Sequence, residues 1–302
     1  MTFADRLAGL VQARGSQIVL GLDPDPARLW PEALAQAPAD GPPARRAAAA
    51  VRAHCAALID AAGPACVAVK AQLACFERLG ADGWAALAAT AEHARAAGLL
   101  VLADGKRGDI SVSAAAYAQA LVGSTPTPFG EVEGLGADAF TANPLMGIDS
   151  LQPLIDGARA RGGGIFVLVR TSNPGAADVE DLELGGEGGA LWERLARIVD
   201  ELGETGPESG LSDIGAVVGA TQPRHVARMR ELMPRTPFLL PGIGAQGGRV
   251  EDLAPAWEAG RAGGLVSASR SIAQAHESVP GAPAEAARAE AERLRDSAWE
   301  LS

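Results

Sequence analysis

Lysine is almost missing from this chain of 302 residues: 24 of its 26 basic residues are arginine, and only Lys70 and Lys106 are not. Arginine serves wherever a positive charge alone is enough, so two retained lysines call for a chemical reason. Basic charge as a whole is also short. Against 26 basic residues stand 37 acidic ones, a formal net charge of −11, which argues against nucleic-acid or anionic-membrane partners. A protein this acidic must bind an anion at a local site. Cysteine is sparse too: Cys55, Cys66 and Cys75 are an odd number with no paired spacing beside histidine, which fits buried thiols in a reducing compartment and no structural zinc. No apolar run reaches the ~18 residues that span a bilayer. The opening MTFADRLAGLVQARG carries Asp5 in its first turn and lacks a signal-peptide core, so the expectation is a cytoplasmic protein.

What is present is a regular alternation. Short β-branched or leucine-rich runs occur at 17–22, 66–70, 99–103, 137–141, 164–170, 214–218, 237–240 and 263–267, and between them lie helical patterns near 44–62, 83–97, 111–122, 149–161, 189–202, 222–232, 250–259 and 269–277. Strands apolar on both faces and separated by helices call for a parallel sheet, and eight such units close it into a (β/α)8 TIM barrel, an α/β fold that accommodates this length as one domain. Three segments exceed the minimal plan: the Pro/Ala-rich 24–43, the Gly/acid-rich 172–189 and the tail 280–302. The tail reads as a solvated terminal helix and 172–189 as a loop that could close over a site. Neither looks like a second domain.

Barrel enzymes carry their catalytic groups where strands finish, and these ends are polar. Strand one ends in Asp23, strand two in Lys70 with Gln72 beyond, and strand three in Asp104-Gly-Lys106-Arg-Gly-Asp109. Strand four ends near Thr141 and Asn143, strand five in Arg170-Thr-Ser172-Asn, and strand eight in Ser267-Ala-Ser269-Arg270. Both lysines are in this set. Asp104 and Lys106 are two apart, which on an extended chain puts both side chains on one side. Alone such a pair could be a structural ion pair. With Lys70 and Asp109 it becomes an array of two carboxylates and two ammoniums that hold one another charged, and charges gathered in a water-poor cleft are costly unless they serve a purpose.

After strand seven comes Pro241-Gly-Ile-Gly-Ala-Gln246-Gly247-Gly, and after strand eight Ser269-Arg270-Ser. This is where barrels commonly hold phosphate, on loop amides and a helix start. Glycine turns are common for other reasons, but an arginine able to grip phosphate bidentately strengthens the reading. The residues thus point to a phosphorylated small substrate whose reacting part lies over Lys70, Asp104 and Lys106.

The Asp-x-Lys-x-x-Asp array of Asp104, Lys106 and Asp109, the upstream Lys70, and the PGIGAQGG and SRSI turns resemble the orotidine 5′-phosphate decarboxylase family. GLDPDP at 21–26, ADGKRGDI at 103–110 and TSNPGA at 171–176 resemble its longer bacterial branch. The resemblance covers about residues 15 to 277. It implies conversion of orotidine 5′-phosphate to UMP and CO2, the last step of pyrimidine nucleotide synthesis, with no metal or organic cofactor, in a homodimer. It also implies roles. Asp23 and Lys70 would hold the ribose hydroxyls, Asp104 would lie against the substrate carboxylate, and Lys106 would give a proton to C6. Asp109 would be supplied to the neighbouring subunit's site, with Ser113, where the family usually has threonine, in the intersubunit contact. Ser172 would bond the pyrimidine edge, Gln246 would reach the phosphate from a lid and Arg270 would grip it; Gly247 and Ser269 belong to the same substrate-binding turns.

Two other readings stay open on the residues alone. One is a different barrel enzyme acting on a phosphosugar, either metal-dependent or forming a Schiff base on a lysine. The other is a barrel that binds a nucleotide without turning it over.

Overall fold

A computed structural model describes residues 1–185, 188–244, 247–279 and 281–302 of the chain. Eight parallel strands form its centre: β1 (Ile18–Leu22), β2 (Ala68–Gln72), β3 (Leu100–Arg107), β4 (Ala139–Ala142), β5 (Gly164–Arg170), β6 (Ile214–Val218), β7 (Phe238–Pro241) and β8 (Gly264–Ala268). Each strand pairs with its neighbours in sequence, and β8 closes on β1 through Ile18–Val266, Val19–Ser267 and Leu20–Ala268. The result is the expected (β/α)8 barrel.

Alternate residues of each strand face the barrel axis, and the axis changes chemistry with height. Low in the barrel, Val19, Ala68, Leu100, Leu102, Ala139, Phe166, Val217, Leu239 and Leu265 form one apolar cluster. Two residues further along their strands the same parity brings Lys70, Asp104, Thr141 and Ser267, all buried. The helix Phe3–Arg14 closes the bottom. Thr2 caps it by accepting the Asp5 N–H at 3.2 Å, and Gly15 ends it in the left-handed region at φ 55°. Its Phe3, Leu7 and Val11 join the lower cluster, each contributing about 1.5–3 kcal/mol of apolar burial. Phe3 meets Phe166 edge to face at 5.9 Å. Gly164 makes room for that ring, since a Cβ there would lie 2.4 Å from it. Asp5 faces the other way and accepts the Ser209 N–H and hydroxyl, both at 2.8 Å.

Five elements differ from the sequence reading. The seventh connection is two 3-10 stretches, Val250–Asp252 and Ala254–Ala259, because Pro255 removes an N–H and crowds the preceding turn of any continuous helix. The eighth is a single turn, Arg270–Ala273, followed by 3-10 residues Ala275–Glu277. An antiparallel hairpin, Ser124–Thr127 with Gly130–Glu133, adds a feature that its exposed, weakly patterned residues did not signal. The tail is not solvated all round: helix Pro283–Leu301 buries Ala286, Ala287, Ala291, Leu294 and Ala298. Small residues on one face let it lie close to the barrel's outer shell, and Arg261 stacks 3.8 Å over its Trp299. Segment 172–189 also has structure of its own, a 3-10 stretch Pro174–Asp178 and the short pair Glu183–Leu184 with Gly189–Ala190.

Candidate active site

The upper end of β3 departs from regular pairing. Ala103 stands opposite Phe140 and Arg107 opposite Ala142, so β3 advances four residues while β4 advances two. This is a bulge, the irregularity that re-aims side chains beside active sites. Within it Lys106 has φ 48°, one of two non-glycine residues among those described with positive φ, a conformation that costs a side-chain-bearing residue on the order of 1 kcal/mol. Gly105 precedes it because a Cβ there would come within 2.6 Å of Leu73. Asp104 and Lys106 therefore meet, as the spacing suggested, but through a left-handed bulge rather than by strand alternation.

Asp104 is buried and surrounded by donors. Its Oδ2 accepts from Lys70 Nζ at 2.7 Å and from Gln72 Nε2 at 3.3 Å. Its Oδ1 accepts from Lys106 Nζ at 2.5 Å and from the Thr141 hydroxyl at 2.9 Å. Burial pushes this carboxyl up, but Lys70 and then Lys106 overcome that and hold it well below the usual carboxylate range. Burial likewise works against the Lys70 ammonium, while Asp104 and Asp23 more than offset it and raise its pKa. Asp23 completes the chain of charges, with its Oδ1 3.7 Å from Lys70 Nζ. The cluster is thus Asp23, Lys70, Asp104 and Lys106. Lys70 is sealed in, whereas the Lys106 side chain is 42% exposed and open to a substrate.

Asp109 is not part of this cluster within one chain. It is half-buried, its Oδ1 accepts the neighbouring Ile110 N–H at 2.8 Å, and it pairs with neither lysine among the described residues. Ser113 is exposed on the helix Ser111–Leu121.

Asp23, Ser269 and Arg270 line one cleft with Gly21, Asp25 and Arg28. Gly21 is required there, since a Cβ would stand 2.6 Å from Ser269 Cβ. In the turn after β7, Gly244 and Gly247 have φ 74° and 88°, and the Gly247 N–H donates to Gly244 O at 2.9 Å. Gln246 falls outside the described residues. Ser172 is half-buried at the end of β5, its backbone pressed against Gly219, where a Cβ would lie 2.8 Å from Ser172 Cα.

Several residues that organise the site were not assigned to it from sequence. Thr141 was seen at a strand end, and its inward parity on β4 was the signal that could have placed it. Arg170 is buried and turned to the excursion, bonding both Asp181 oxygens at 2.8 and 3.0 Å and donating to Thr171 O at 2.6 Å. Glu180, whose pKa burial raises, accepts the Thr171 N–H at 2.8 Å. The excursion thus clamps the strand end that presents Ser172. Arg107 pairs with Glu77 and lies 5.4 Å over the Tyr117 ring, anchoring the far side of the bulge. No group of three or more His, Cys, Asp or Glu side chains is placed to hold a metal among the described residues.

Residues 16–288 match the model of the Orotidine 5′-phosphate decarboxylase / HUMPS family. The chain is 40% identical over 280 residues to the Orotidine 5′-phosphate decarboxylase of Rhodopirellula baltica, covering 91% of this chain and 89% of that one. It is 41% identical over 300 residues to the protein of the same name from Deinococcus radiodurans, covering 98% and 96%. Among solved structures it resembles the OMP decarboxylase of Leishmania donovani, with a TM-score of 0.72, 32% identity and 99% of each chain covered.

Proposed function

The chain belongs to the orotidine 5′-phosphate decarboxylase / HUMPS family, and on that premise we propose how its site works. It is a carboxy-lyase of pyrimidine biosynthesis that converts orotidine 5′-phosphate to UMP and CO2. The observation that carries the mechanism is the buried Asp104 carboxylate held between two ammoniums.

Loss of CO2 from C6 leaves an electron pair in the plane of the pyrimidine, where the ring π-system cannot delocalise it. Fixed charge must do the work. The Lys106 ammonium next to C6 stabilises the developing negative charge and then transfers a proton from Nζ to carbon, leaving a neutral amine that solvent reprotonates. Arginine could supply the charge, but it holds its proton too tightly to give it away. Asp104 orients Lys106 in the free enzyme and faces the departing carboxylate in the complex. Lys70 and Asp23 bind the ribose hydroxyls, Ser172 bonds the pyrimidine edge, and Arg270 with the amides around Gly247 and Ser269 takes the phosphate, with Gln246 above it. Phosphate binding, remote from the broken bond, contributes energy for positioning the ring.

Asp109, directed away from its own lysines, acts in the site of a second copy, so the working enzyme is a homodimer. Support comes from the apolar surface beside it: Ile110, Val112, Leu145, Met146 and Ile148 are all exposed, an arrangement that marks a contact surface. Mixing inactive Lys106→Ala and Asp109→Ala subunits should restore part of the activity if sites are shared. A cytoplasmic location belongs to the same proposal; none of the described helices is long and apolar enough to cross a membrane. The activity is tested by adding orotidine 5′-phosphate to purified protein and following its ultraviolet absorbance. The absorbance should fall to that of UMP, and folded protein without turnover would contradict the reading.

A further inference from the structure

Thr141 stands where three requirements of the site meet. It is 1% exposed, its hydroxyl donates to Asp104 Oδ1 at 2.9 Å, and the same oxygen accepts the Lys106 N–H at 2.8 Å. A hydroxyl has one hydrogen to give and lone pairs to receive, so both bonds form together. No other contact joins the carboxylate to the backbone of the proton donor among the described residues.

The second bond matters because of the backbone it holds. Lys106 is in the left-handed region, which the chain leaves unless its surroundings over-determine it. Around it the far side of the bulge is fixed by Asn143, whose N–H donates to Arg107 O at 2.8 Å, and by the Arg107 pair with Glu77. On the near side the Thr141 hydroxyl receives the Lys106 N–H. Removing it would leave that N–H without its acceptor and free the bulge to relax toward negative φ. Nζ would then swing away from the point at which Asp104 holds it.

We propose that Thr141 is a positioning residue for decarboxylation: one buried hydroxyl sets both the orientation of the Asp104 carboxylate and the strained backbone that aims Lys106. This rests on Lys106 being the proton donor. Thr141 touches no reacting atom in this assignment, and its contribution is geometric. A misplacement of about 1 Å is enough to lower a rate about a hundredfold.

The test is Thr141→Val, which keeps the shape and removes the hydroxyl, beside Thr141→Ser, which keeps the hydroxyl. The valine variant should lose roughly ten- to a hundredfold in kcat, bind UMP within about threefold of wild type, and leave KM nearly unchanged; the serine variant should recover most of kcat. Should valine prevent folding, Thr141→Ala makes the same deletion and is read the same way. A folded variant with wild-type kcat, an equal loss of kcat and UMP affinity, or serine no better than valine would overturn the proposal. Lys106→Ala, run in parallel, separates the two levels. If it is inactive while Thr141→Val is normal, only the role of Thr141 fails; if it is active, the reading of Lys106 fails.

Discussion

Two of the buried cations of this barrel, Lys70 and Arg230, sit under opposite conditions. At the mouth, Lys70 is 2.7 Å from Asp104, which also binds Lys106 at 2.5 Å. On the outer shell, Arg230 has no carboxylate in contact among the described residues. It donates instead to four carbonyls, those of Met233, Thr236, Ala256 and Gly263, at 2.8–2.9 Å, and lies 3.8 Å over the Phe238 ring. Burial lowers its pKa to about 10, which still leaves it charged at neutral pH. Arg14 is held in the same way by the carbonyls of Gly63, Cys66, Ala97 and Gly98. Where a guanidinium fork ties loops together, its fixed geometry and tight hold on the proton are advantages. At Lys106, where the proposed mechanism requires a proton to be released, both would be defects.

The largest effect is expected at the mouth. Lys106→Ala should lower kcat by about a thousandfold or more, the joint size of proton-transfer and electrostatic contributions, while UMP still binds. Arg270→Ala should act on affinity instead, raising KM about ten- to a hundredfold as a charge-assisted contact to phosphate is lost, with a smaller change in kcat. Equal, mild losses from these two variants would erase the distinction between reacting and binding residues.

Arg230→Lys should do the reverse of a mouth substitution. One ammonium cannot reach four separated carbonyls, so stability should fall by about 3 kcal/mol in thermal or urea unfolding, with kcat of the folded enzyme unchanged.

The last effect is in pH. Asp104 has a lowered pKa and Lys70 a raised one. Their contribution to stability is lost only as pH falls below the ordinary carboxylate range or rises above the ordinary lysine range, so the mouth contributes no slope near neutrality. His54 differs: burial, then repulsion from His276, lowers its pKa from 6.5 to about 4. The unfolded chain binds the extra proton first on acidification, so stability should drop between about pH 6.5 and pH 4, by on the order of 3 kcal/mol. His54→Asn, which keeps an acceptor for the Trp30 N–H that His54 Nδ1 takes at 3.2 Å, should flatten that slope in pH-resolved unfolding.

The barrel was legible because each strand carries its own signal: continuous apolar residues bounded by turn formers, ending in a polar group. Lys70 and Asp104 followed from that rule. The Asp104–Lys106 contact was expected from their spacing, but a local spacing rule contains no information about a bulge set by pairing with β4. Thr141 and Glu180 were not assigned because their roles depend on partners 37 and 9 residues away, and a lone threonine or glutamate near a strand end has many possible uses. The tail looked solvated because its helix buries mainly alanine, whose small area gives a weak apolar stripe. The 172–189 excursion read as a loop that could close over a site, and the Arg170–Asp181 pair that ties it down is a tertiary contact that local sequence does not show.

The exchange that reads the central claim most directly is Lys106→Arg, assayed by ultraviolet loss of orotidine 5′-phosphate and by UMP binding on the same preparation. The variant keeps a positive charge beside Asp104 and loses a proton that can be given away. The account predicts a folded protein that binds UMP and turns over at least about a hundredfold more slowly than wild type. Turnover close to wild type would show that charge alone suffices at this position and would contradict the reason given for the retained lysine.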